Sequence, residues 1–126
     1  MSKKAFSFFA LAVLFCLSAS AQAVIKFEKT VIDFGTFDED QPQTCVFEFV
    51  NDGDKPLVIH QAFASCGCTV PEHTQEPIQP GKKGVINVRY NGKGKREGEF
   101  QKVITVRSNA SNSLVRVYIR GNMKKK

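Results

Sequence analysis

Tryptophan is absent from this chain of 126 residues, and histidine and methionine occur twice each. No Gly-rich phosphate loop and no Ser-centred hydrolase motif is present, which excludes the familiar nucleotide-binding and hydrolytic enzymes. No apolar run reaches the roughly 20 residues needed to span a bilayer as a helix. Hydrophobic residues nevertheless make up 42% of the chain, ordinary globular usage, so it is neither disordered, collagen-like nor a coiled coil. At this length one domain is expected.

Lys3 and Lys4 precede an apolar run from Ala5 to Leu17, and Ala19-Ser20-Ala21 follows with small residues where a signal peptidase reads. The pattern predicts a signal peptide over residues 1–21 and an exported domain over 22–126, periplasmic or extracellular and soluble. Ala21-Gln22-Ala23 offers a second cleavage site. Cys16 is not a lipidation site, because Phe15 stands where a small residue is required. Charge is divided along the chain: Gln22 to Gly81 carries net −7 and Lys82 to Lys126 net +11. Arg89, Arg107, Arg116 and Arg120 alternate with apolar residues, which predicts solvated strand faces that pair acidic with basic strands. A basic face built from Lys93, Lys95, Arg96 and the terminal lysines is the competing reading, but export removes nucleic acid as a partner.

Period-two patterning runs through the exported part. Cys45, Phe47 and Phe49 share one face of a strand over 44–51. Leu57, Ile59 and Phe63 share one over 57–63. Ile86, Val88 and Tyr90 point inward from 84–90, as do Phe100, Ile104 and Val106, and Val115, Val117 and Ile119. With short strands at 24–27 and 31–34 this makes about seven strands and no helix. Turn residues bound each run, among them Gly35, Gly53, Gly67 and the pair Pro80-Gly81. Seven short one-sided strands in about 100 residues predict an all-β, immunoglobulin-like β-sandwich. Its core is expected to be rich in phenylalanine, from Phe27, Phe34, Phe47, Phe49, Phe63 and Phe100. The Trp and the cysteine spacing of true antibody domains are missing.

The order Asp33-Phe34-Gly35, Phe49-Val50-Asn51-Asp52-Gly53, Pro56-Leu57-Val58-Ile59, Ser65-Cys66-Gly67-Cys68-Thr69, Pro80-Gly81, Ser108-Asn109 and Gly121 resembles the bacterial domain-of-unknown-function family 1573 (DUF1573), from about Phe27 to Gly121. The resemblance implies a PapD-like immunoglobulin-type fold. Members of that wider group mostly bind other proteins and are not enzymes.

Three cysteines follow the leader, so an odd thiol remains in the monomer. Cys45 reads as a small buried hydrophobe. Cys66 and Cys68 flank Gly67, whose backbone freedom can bring both sulfurs to one side, and four roles stay open for them. One is a structural bridge from either to Cys45, and another is a packed reduced pair. A third is a soft-metal site, copper above all, with His60 or His73 as a further ligand. The fourth is a strained, redox-active disulfide. No cofactor is otherwise expected. Asp38-Glu39-Asp40 is a turn cluster with no His beside it, and Asn109-Ala110-Ser111 is a glycosylation-type triplet of little weight given the bacterial source that the resemblance implies. The sequence therefore predicts an exported non-enzymatic domain that binds a protein or glycan through a sheet edge or the loops at one end. The alternative is a copper-binding or thiol-redox protein acting through Cys66 and Cys68.

Overall fold

The computed structural model describes residues 21–126, and the predicted leader over 1–21 lies outside them except for Ala21. Eight strands follow in order: β1 (Ile25–Phe27), β2 (Val31–Asp38), β3 (Gln43–Asn51), β4 (Ile59–Phe63), β5 (Thr69–His73), β6 (Lys83–Tyr90), β7 (Gly98–Ser108) and β8 (Leu114–Lys124). They form two four-stranded sheets, β1-β3-β6-β5 and β2-β8-β7-β4. All pairings are antiparallel except that of β2 with β8, which is parallel. The described residues contain no helix, and the immunoglobulin-like β-sandwich is the architecture the alternating pattern called for.

The core lies between the sheets because each central strand turns one face inward. Phe47, Ile86 and Val88 from one sheet meet Ile104, Val117 and Ile119 from the other, all nearly inaccessible to solvent. Fully burying each of these side chains contributes about 1.5–3 kcal/mol relative to exposure. At one end Tyr90 and Phe100 stack with centroids 4.4 Å apart at 11°, and Phe37 meets both edge-on.

Two parts of the predicted core change. Phe63 is 42% exposed. The register of β4 on β7 slips between Ile59 and Gln61, so an extra residue reverses the alternation and turns Ala62 inward in place of Phe63. Phe37, absent from the predicted core, is buried, because β2 continues past Phe34 to Asp38. Gly35 makes that continuation possible: at φ 74° it sits inside a register irregularity between Asp33 and Thr36, a bulge within the strand and not a terminating turn. Pro80-Gly81 does form a turn, with Lys82 N–H donating to Gln79 O at 2.9 Å and Gly81 at φ 80°, the type II pattern.

Charge division along the chain appears as pairing across strands. Arg120 on β8 reaches Asp33 on β2 at 3.2 Å, and Lys126 reaches Asp40 at 3.3 Å. Both pairs are exposed and contribute little to stability.

Candidate functional site

The side of the sandwich closed by β4 and β5 gathers most of the residues singled out from the sequence. β4 ends one sheet and β5 ends the other, so the chain changes sheets between them, over Ala64 to Cys68. Inward-facing Ala62, Ala64 and Cys66 alternate with exposed Phe63, Ser65 and Gly67 along this crossing. Cys66 and Cys68 are joined by a disulfide with Cα atoms 5.2 Å apart, and Cys45 is a free thiol. The bend is also held by its backbone. Thr69 N–H donates to Cys66 O at 3.1 Å, and Asn91 N–H donates to Cys68 O at 2.9 Å. Gly67 has no positive φ, so it is not left-handed freedom that brings the sulfurs together.

Cys45 lies on β3 and packs against the core from a half-buried position. It takes no part in the bridge, which removes the stapled loop between Cys45 and the pair. Desolvation raises its thiol pKa from 9.0 to about 11. A thiol with its folded pKa raised stays protonated and is stabilised below the unfolded value, and that contribution is lost as pH rises from about 9 through 11. Native Cys45 should therefore alkylate slowly at pH 8. Its thiolate population is about a hundredfold below that of the unfolded chain. Iodoacetamide labelling followed by peptide mass spectrometry checks this, and equal native and denatured rates would contradict it.

His60 and His73 do come together, but not with the cysteines. Both line an open cleft of about 520 Å³ between β4 and β5, together with Gln61 and Glu72. His73 ends β5 and is not in a loop: Pro71 is tolerated because β5 is an edge strand, where a missing N–H can face away from the ladder. Its Nδ1 lies 2.8 Å from Thr74 O. Among the described residues no three His, Cys, Asp or Glu side chains converge as metal ligands. With both sulfurs bonded to each other, the donor set does not fit copper.

The other turn residues serve the fold. Asn51, not singled out as functional by sequence, is fully buried, and its side chain ties the end of β3 to three other segments. Its Nδ2 donates to Lys55 O at 2.7 Å and Ile78 O at 2.9 Å, while its Oδ1 accepts from Val24 N at 3.3 Å and Gly53 N at 3.0 Å. Gly53 is required there by space, since a Cβ would lie 2.2 Å from Gln22 O. The Asn109 side chain is engaged with Val58 N and Pro56 O and is tied into the fold. In the acidic turn, Glu39 accepts from Gly94 N–H and Asp40 pairs with Lys126. No described helix is long and apolar enough to cross a membrane.

Two sandwiched four-stranded sheets with this topology define an immunoglobulin-like domain of the PapD-like kind. Residues 25–123 match the model of the family described as protein of unknown function (DUF1573), and the chain belongs to that family. A crystal structure of a protein of unknown function from Porphyromonas gingivalis W83 superposes with a TM-score of 0.71 at 19% identity, covering 86% of this chain and 50% of that one. The chain thus spans half that protein's length. The PapD-like domain 7 of human CEP192 superposes at 0.63 and 9% identity, covering 83% and 88%. The periplasmic chaperone SfaE superposes at 0.57 and 12%, covering 81% and 58%. No curated protein matches the chain by sequence.

Proposed function

We propose that this chain is an exported, non-enzymatic domain that binds a partner protein by adding an extended segment of it to the open edge of β4. The observation that carries this is how unequally the four sheet edges are protected. β1 is three residues long. β2 carries a bulge and two aspartates, and β5 carries Pro71 and Glu72. These are the devices that keep an edge from pairing with another chain. β4 reads Ile-His-Gln-Ala-Phe, with no proline and no Asp, Glu, Lys or Arg, and ends on exposed Phe63. Its bulge lies at the start, leaving Gln61 to Phe63 in regular register. A strand added there gains backbone hydrogen bonds along the rim, and Phe63 supplies an apolar anchor.

Similarity to a periplasmic chaperone supports both export and protein binding. Cleavage after Ala21 is supported over cleavage after Ala23 by the fold itself. Ala23 is 3% exposed in the core, and Gln22 exchanges hydrogen bonds with Asp54 through both its N–H and its C=O. Removing those residues would open the N-terminal end of the sandwich.

A photoreactive phenylalanine analogue at position 63, compared with one at exposed position 55, tests the reading in living cells. One discrete protein adduct from position 63 and none from position 55 is expected. A glycan adduct, no adduct, or equal labelling at both positions would contradict it.

A further inference from the structure

We propose that the Cys66–Cys68 bridge is a thiol–disulfide exchange site, attacked at Cys66, whose reaction partner is a dithiol. The bridge is poorly placed to be a staple. It joins residues two apart, so it closes one of the smallest loops a disulfide can close and restrains the unfolded chain correspondingly little. The bend it spans is already fixed by the hydrogen bonds from Thr69 N–H to Cys66 O and from Asn91 N–H to Cys68 O, and by the β5–β6 ladder.

Its two sulfurs are unequal. Cys68 is 8% exposed and belongs to the core, whereas Cys66 is only partly buried and flanked by exposed Ser65 and Gly67. An incoming thiolate therefore reaches Cys66. Each sulfur also has a polar neighbour for the charge it gains. The Cys68 backbone N–H donates to Cys66 Sγ at 3.2 Å, and Thr69 Oγ1 lies 3.6 Å from Cys68 Sγ. Hydrogen bonds to a thiolate favour the ionised form. Cys45 does not compete, since its thiol is half-buried and held protonated to about pH 11.

The exchange runs in two steps. The first substrate thiolate bonds to Cys66 Sγ, the Cys66–Cys68 bond breaks, and its electron pair leaves on Cys68 Sγ, which takes a proton from water. The second substrate thiol then loses its proton and attacks the substrate sulfur of that mixed disulfide. Cys66 leaves as the thiolate, beside the Cys68 N–H. The substrate dithiol is oxidised to a disulfide, and the bridge is reduced by the same two electrons to two thiols. The reaction is stoichiometric, with the chain itself as oxidant, and it does not depend on the β4 edge.

Purified full-length exported protein equilibrated with mixtures of reduced and oxidised glutathione, then quenched by alkylation, reads the proposal. The bridge should be half reduced within the millimolar range of reduced glutathione while the β-sheet circular dichroism is retained. A bridge that stays oxidised throughout that range, or opens only on unfolding, overturns it. In Cys68→Ser, oxidised glutathione should add to Cys66 at least about tenfold faster than it adds to Cys68 in Cys66→Ser. Equal or reversed rates overturn the assignment of the attacked sulfur. Should either variant not fold, acid-trapping the glutathione adduct of the wild-type protein and mapping it to position 66 or 68 decides the same question.

Discussion

Replacing Asn51 with leucine is expected to destabilise the domain by about 3–5 kcal/mol, although the side chains are similar in size and the site is fully buried. The backbone carbonyl of Lys55 loses its donor and two backbone N–H groups, of Val24 and Gly53, lose their acceptor, while Ile78 O keeps the N–H of Leu57 at 2.8 Å. Each group left buried and unpaired costs about 1–3 kcal/mol. The loss is spread over the N-terminal segment, the β3–β4 loop and the approach to β6, so the loops at that end should loosen together. Urea unfolding of wild type and variant measures it, and a change below about 1 kcal/mol would show that water replaces the amide at little cost.

The second large effect belongs to Tyr90. Truncation to alanine removes a ring that is 2% exposed, stacked on Phe100 and met edge-on by Phe37. Aromatic-to-alanine changes at such sites cost about 3–5 kcal/mol. A double-mutant cycle with Phe100→Ala should return a coupling of about 0.5–1.5 kcal/mol. Phe63→Ala, by contrast, should change stability by no more than about 0.5 kcal/mol, as surface positions do. An exposed aromatic whose loss the fold does not register is what a contact surface requires. A large loss at Phe63 would return it to the core and weaken the case for β4.

Phe63 also shows where the sequence stops being legible. Strict alternation from Leu57 places it inward, and only a bulge between Ile59 and Gln61, which leaves no mark in residue type, reverses it. Strand β5 was hidden for a related reason. Pro71 reads as a breaker until the strand is known to be an edge. The interior strands β3, β6 and β8 could be read because their inward residues are large and their outward ones polar or charged at most positions. The cysteine pairing could not be read, since three thiols allow several bridges and sequence spacing does not rank them. Asn51 was visible only as part of a turn. Nothing local says that an asparagine at a strand end will carry four hydrogen bonds across three loops.

Addition of a partner strand to β4, as proposed, would change the backbone protection of that edge. Amide hydrogen exchange across the chain, free and in complex with the protein captured at position 63, measures this at the backbone itself. New protection is expected on His60 to Phe63, with β1, β2 and β5 unchanged. Protection confined to the 39–42 and 91–97 loops, or none at β4, would contradict it and move the binding surface to the end of the sandwich.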